Sequence, residues 1–358
     1  MSLTAEQRDL RDAVRGLLAR TAPDSLWPRL CEVGVAGLAV PERYGGAGAG
    51  PAETGVVMEE LGRDLTCSPM LGSAVLAAQA LLASGDDDAC ARLLPALAAG
   101  SATAALAWTT RAGRWDPGEV ACRARRAGGG WELSGEAHYV LDGQDAGVLL
   151  AAARGPSGIG LFEVEPGQDG VRRTASPALD SSRRLAVVRL TGARGRRVGG
   201  DAAAALSRAR DLACLALGAE QVGAARRALD LTVEHALTRV QFGQVIGGFQ
   251  ALRHRLADLH VLVESARSLS RAVAAAAESA AVAGATTPGL GLRAAAVKVY
   301  CSDVLTQTAA EMIQMHGAIG ITWEHPAHRY LKRAHGARHL FGPPDQHAAA
   351  IAATLLDQ

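Results

Sequence analysis

Hydrophobic positions divide the chain into three textures. From Leu3 to about Gly100, apolar residues recur at helical spacing and are broken by glycine-rich loops such as "PERYGGAGAGP". Thr4 with Gln7 reads as a capping box that opens the first helix. In "GDDDACARLLPALAAG", acids at the start and Gly100 after the end mark another helix. From about Ala102 to Val198 short apolar runs ("WELSG", "GVLLAAAR", "IGLFEVE", "RLAVVRL") alternate with Gly, Pro, Asp and Ser clusters. Ala186, Val188 and Leu190 alternate with Val187 and Arg189, as a strand with one buried face does. Helical spacing returns after Ala202. Leu212, Leu215, Ala219, Val222, Leu229 and Val233 lie on one helix, and Leu252, Leu256, Leu259 and Val263 on the next. "AGATTPGLGL" links to a third helix and "HGAIGITWEHP" separates the third from the fourth, while the alanine-rich tract 272–285 reads as a close-packed helix. The expected fold is α+β and multidomain: a helical domain over residues 1–101, a β-barrel domain over 102–199, and a four-helix bundle over 200–358.

Composition narrows the class. The chain has 358 residues, 49% of them hydrophobic, and a net charge of +1. Near-neutral charge gives no general attraction for nucleic acid or anionic membranes. The arginine runs 123–126 and 194–197 sit beside turn residues and read as solvated loops. Six scattered cysteines without a CxxC pair read as reduced and mostly buried, and with no apolar signal or spanning segment a cytoplasmic protein is expected.

The stretch with the most chemistry is "TRVQFGQVIGGFQALRHRLADLH", residues 238–260. Together with "VAGLAVPERYGGAGAGPAETGVVMEELGR" and "QMHGAIGITWEHPAHRYLKRA", it closely resembles the acyl-CoA dehydrogenase family over essentially the whole chain. The resemblance implies a lipid- or secondary-metabolism flavoprotein oxidoreductase with FAD held between neighbouring subunits. In that chemistry a carboxylate removes the α proton of an acyl thioester while the β hydride passes to the flavin. The resemblance assigns Arg239, Gln241 and Phe242 to the FAD pyrophosphate of an adjoining subunit, with Phe249 and Gln250 next along the adenine end. A guanidinium suits a diphosphate because it offers paired donors and a permanent charge. Gln314, Gly317 and Ala318 match a Gln-x-x-Gly-Gly turn that lets backbone approach the cofactor.

The half of the site that holds a subunit's own flavin departs from the family pattern. In "WTTRAGRWD", Trp108 and Thr109 fit, but Arg111 stands for a proline and Trp115 for a serine; in "YVLDG", Leu141 stands for the flavin-contacting threonine. In "RAHGARHLFGPPD", Leu340, Phe341, Gly342 and Pro343 stand for Tyr-Glu-Gly-Thr, so Phe341 occupies the usual glutamate position and no catalytic residue is assigned. The alternative base position on the preceding helix aligns near Ala213, and Asp211 points elsewhere. Asp345, His339 and Glu220 are the replacement bases to weigh, each with a capping, solvent-facing or bundle-polar alternative. The i, i+4 pair His335/His339 lacks a third ligand and reads as basic helix surface. Three functions follow: the non-catalytic partner in a heterotetramer with a paralogous subunit; a homo-oligomeric enzyme on an acyl-CoA or carrier-bound acyl group; or a flavin-free binding or scaffold protein.

Overall fold

The computed structural model describes residues 2–282 and 289–356. Five helices come first: α1 (Ala5–Arg20), α2 (Pro23–Glu32), α3 (Pro51–Arg63), α4 (Ala78–Ala83) and α5 (Asp87–Ala98). The Thr4/Gln7 capping box is present, and Asp86 caps α5 by accepting the Ala89 N–H. The segment Met70–Ala77 before α4 is a π-helix buried at every position. Nothing in its apolar run distinguishes it from an ordinary helix.

Seven strands follow: β1 (Ala104–Ala107), β2 (Cys122–Ala127), β3 (Gly130–Leu141), β4 (Val148–Gly155), β5 (Gly158–Val164), β6 (Val171–Ala175) and β7 (Leu185–Val198). Strand order β4-β2-β3-β7-β5 returns to β4 through a β4–β5 pairing and closes the sheet into a barrel, with β1 and β6 added outside. The continuous apolar run in β4 has a simple cause. Leu149, Ala151 and Ala153 pack into the barrel with Trp131 and Phe162, while Leu150 and Ala152 face the helical core. A strand buried on both faces has no need of alternation.

Both arginine runs lie in strands, β2 and β7, and correct the expectation of loops. In β2 the outward positions carry Arg123 and Arg125 while Cys122 and Ala124 point inward. Arg126 and Arg197 stack on the Trp131 ring at 4.3 and 5.8 Å. Long basic side chains on a barrel exterior can cover apolar surface while their charge stays in water.

The C-terminal region is built on α6 (Ala203–Thr238), followed by a hairpin of β8 (Val240–Gln241) and β9 (Gln244–Val245). Then come α7 (Gln250–Val282), α8 (Leu290–His316), α9 (Ala327–His339) and α10 (Pro344–Leu356). Val233, expected on the apolar face of α6, is exposed. Most of the predicted link "AGATTPGLGL", residues 283–288, lies outside the described residues, and its last three residues already belong to α8. Two glycines let α3 and α6 touch backbone to backbone. A Cβ on Gly62 would sit 2.0 Å from the Glu220 carbonyl oxygen, and one on Gly223 would sit 1.8 Å from that of Glu59.

Candidate functional site

The residues assigned by resemblance to a neighbour's flavin gather at one end of the bundle. Arg239 follows α6, and its amide donates to His235 O at 2.9 Å. The hairpin turns on Phe242 and Gly243, at φ 51° and 80°, a pair of positive values suited to a two-residue hairpin turn. Phe242 is 92% exposed, with Phe249 edge-on at 6.2 Å. Gln241 and Gln250 are exposed beside it. Gln314 lies exposed near the end of α8, and Gly317 (φ 64°) and Ala318 begin the 3₁₀ turn Gly317–Ile321. The two groups meet because the His235 ring on α6 stacks on the His316 ring of α8, centroids 4.2 Å apart. Arg239 makes no ion pair among the described residues, so its guanidinium is free to meet an anion.

Thr109 is not part of this end. It is buried after β1, and its carbonyl accepts the His138 amide at 2.9 Å. Beside it runs a chain of aromatic rings: Trp108 meets Trp115 edge-on at 5.8 Å, and Trp115 meets Phe341 edge-on at 5.0 Å. Trp108 Nε1 donates to Asp116 O at 3.3 Å and fixes the start of this chain. Leu141 is buried against Gly72 of the π-helix.

Phe341 sits in the loop between α9 and α10 and is 1% exposed. Its φ is 61°, a strained value for a bulky residue and costing about 1–3 kcal/mol, so the surroundings must enforce it. Two contacts do so. Lys298, completely buried on α8, donates from Nζ to Ala337 O (3.2 Å), Arg338 O (2.9 Å) and Ser302 Oγ (3.1 Å), and so ties down the end of α9. His347 Nε2 donates to Phe341 O at 2.9 Å. A cavity of about 280 Å³ adjoins the loop, lined by Trp115, Arg210, Leu292, Phe341, Gln346 and His347.

The three replacement bases are placed otherwise. Asp345 is exposed in the first turn of α10, and His339 is exposed in the last turn of α9. Glu220 is buried on α6 in a four-charge cluster. It accepts from Arg183 Nη2 at 2.6 Å and from Arg333, while Arg333 Nε reaches Asp180 at 2.8 Å. Burial raises the Glu220 carboxyl pKa, but Arg183 and Arg333 outweigh that and hold it below the ordinary value. A carboxylate paired twice is a poor proton acceptor. Sequence reasoning missed both this cluster and Lys298, because a charge on a helix reads as solvent-facing unless its partners from distant segments are known.

The exposed, unpaired Arg239 with Gly317 beside the same end fits the donated half of a dinucleotide site. Trp115 and Phe341 are buried against one another, and neither side chain offers a carboxylate or hydroxyl there.

Comparison with known proteins agrees with the architecture. The model for the acyl-CoA dehydrogenase N-terminal domain matches residues 4–101, and that for the acyl-CoA dehydrogenase C-terminal domain matches residues 202–356. Acyl-CoA dehydrogenase IpdE2 of Mycobacterium tuberculosis is 38% identical over 362 residues, covering 96% of this chain and 95% of its own. Acyl-CoA dehydrogenase FadE27 of the same species is 33% identical, covering 86% and 82%. Among solved structures, the ChsE4-ChsE5 complex from Mycobacterium tuberculosis aligns with a TM-score of 0.88 at 28% identity, covering 100% of this chain and 99% of that one. A variant of the Tcur3481-Tcur3483 steroid ACAD aligns at 0.86 and 27%, covering 98% of both.

Proposed function

Because this chain belongs to the acyl-CoA dehydrogenase family, we propose that it is the non-catalytic partner in a heteromeric acyl-CoA dehydrogenase, lending the end of its bundle to FAD held mainly by a paralogous subunit. The packing of Phe341 carries this reading. At the position the resemblance gives to the base stands a buried phenyl ring, held edge-on against Trp115 in a loop pinned by Lys298 and His347. It has no atom that can take a proton. FAD, when bound, supplies the hydride acceptor of α,β-dehydrogenation. This chain's residues do the rest of its part: Arg239 offers paired donors to the pyrophosphate, Gly317 and Ala318 keep backbone accessible, and Phe341 packed on Trp115 leaves its own loop without a base.

Two further observations support the pairing. Val240 and Phe242, just after Arg239, and Ile321 and Trp323, between α8 and α9, are exposed apolar side chains of the kind that subunit contact buries. A chain of the ChsE4-ChsE5 complex is similar to this one over its whole length. The assembly proposed is a cytoplasmic heterotetramer acting on an acyl-CoA or acyl-carrier thioester.

The test is expression of the chain alone and together with an acyl-CoA dehydrogenase homologue that carries the loop glutamate. Alone, the chain is expected to bind little FAD and to lack turnover, since loss of a general base costs ~10²–10⁴ in rate. Together, the pair is expected to hold flavin and oxidise an acyl thioester. Stoichiometric flavin with steady turnover from the isolated chain identifies a homo-oligomeric enzyme instead. A colourless protein under both conditions identifies a flavin-free binding or scaffold protein.

A further inference from the structure

Three imidazole rings from three elements are stacked beneath the exposed end of the bundle. His235 of α6 and His316 of α8 lie 4.2 Å apart at 24°, and His325, just before α9, lies 4.3 Å from His316 at 37°. His316, the middle ring, is 6% exposed. Its Nδ1 is 2.7 Å from Met312 O, and a carbonyl only accepts, so the ring proton sits on Nδ1. Nε2 is therefore a bare acceptor, buried and without a hydrogen-bond partner among the described residues. His325 holds the other tautomer. Its Nδ1 accepts the Ala327 amide at 3.2 Å, at the first residue of α9, which leaves its proton on Nε2.

The His325 contact requires a neutral ring, while the His316 Nδ1–H bond to Met312 survives protonation and it is the buried Nε2 that opposes the charge. A proton added to His316 would enter at Nε2, where nothing receives it. A proton added to His325 at Nδ1 would face the Ala327 N–H at the positive end of a helix. The groups that face the rings add to this. Arg239 follows α6, and His328 lies on α9 with Arg329 and Lys332 behind it; from α8 the Met312 carbonyl accepts from His316. Among the described residues no carboxylate pairs with any of the three rings; Glu324 precedes His325 in sequence, and Glu234, beside His235, pairs with Arg227.

We propose that this stack is a proton-sensitive joint: neutral, it clamps the ends of α6 and α8 to the start of α9, and protonated, it comes apart and loosens the exposed end of the bundle. Burial holds His235, His316 and His325 below the ordinary imidazole value of 6.5, helped at His235 and His325 by the neighbouring imidazoles and at His235 by Arg239. The opened form therefore takes up protons more readily than the closed one. The clamp is complete above 6.5 and is lost as pH falls from there toward the depressed values.

The joint rests on the packing of the rings and not on flavin, so the full chain without cofactor tests it. Hydrogen exchange is measured at about pH 7.5 and about pH 5.5 and corrected for the intrinsic rate, beside a titration of ¹⁵N-labelled histidines. Protection over residues 312–328 and 235–239 is expected to fall by about tenfold per pH unit for each proton taken up on opening, with the barrel unchanged. His316→Phe keeps a ring between the other two but cannot take a proton, and it should flatten that dependence. Acid loss undiminished in folded His316→Phe overturns the proposal. If that variant does not fold, the unmodified chain decides. Rings titrating independently near 6.5 with unchanged exchange overturn it, and joint titration with local loss of protection supports it.

Discussion

A guanidinium at position 239 can serve a ligand or merely complement the negative end of α6, and the two roles differ in what a substitution removes. In the first, Arg239→Ala takes charge-assisted hydrogen bonds worth ~1.5–3 kcal/mol from the cofactor, so flavin per complex should fall about tenfold or more at limiting FAD while the melting temperature holds. Arg239→Lys should recover part of it, because a point charge cannot reproduce paired donors. In the second, flavin is unchanged and stability drops by ~0.3–1 kcal/mol. Phe341→Glu makes the complementary point. The new carboxyl would be buried against the Trp115 ring, so the variant should be less stable by about 3 kcal/mol and still inactive. Turnover by this single variant in the isolated chain would show that the pocket accepts flavin and that Trp115 is no obstacle. That aromatic residues stand at these positions could be read from the sequence, since each lies in a local stretch. Their joining into one row of rings could not, because Trp108, Trp115 and Phe341 meet only after the barrel docks on the bundle.

Among the elements, α9 shows how a helix end sets a loop. Its last carbonyls lie at the open end of the helix: Ala337 O takes the Leu340 amide at 3.3 Å, and Lys298 reaches across from α8 to both Ala337 O and Arg338 O. The ammonium does so without a carboxylate among its hydrogen-bond partners, and burial depresses its pKa from 10.5 to about 8. The unfolded chain thus binds a proton that the folded chain lacks between those values, and stability should rise as pH climbs from 8 toward 10.5. The relief is about 3 kcal/mol at most. In Lys298→Met this rise should vanish, which thermal melts of both proteins at about pH 8 and pH 10 would reveal. An equal rise in the variant would remove Lys298 as its source. Helices and turns were readable here because caps and periodicity are local. The arginine runs were misread because charge was weighed above the small, buried residues alternating with it in β2, and the histidine stack left no trace because its rings come from three separate segments.

At the scale of the whole molecule, the charged cluster around Arg333 fastens the barrel to the bundle. Asp180 and Arg183 come from the segment before β7, Glu220 from α6 and Arg333 from α9. Glu220→Gln would leave two guanidinium groups with one carboxylate between them, at a cost of ~3–5 kcal/mol near neutral pH. Since Glu220 titrates below its ordinary 4.5 in the folded chain, its contribution is present above that value and lost as pH falls through the lower one. The gap between the original and Glu220→Gln in chemical unfolding should therefore be wide at about pH 7 and narrow in acid. A gap independent of pH would mean that shape rather than charge holds the domains together.

The end of the bundle that carries Phe242 also bears on how such a chain must be made. With Phe242 92% and Trp323 84% exposed, a newly folded copy presents oily rings to every other protein in the cell until something covers them. A chain built this way is safest when it is translated in step with whatever buries that end, and a surplus copy becomes material for clumping and proteolysis. Under the pairing proposed above, matched dosage is then as much a condition of its solubility as any residue in its core.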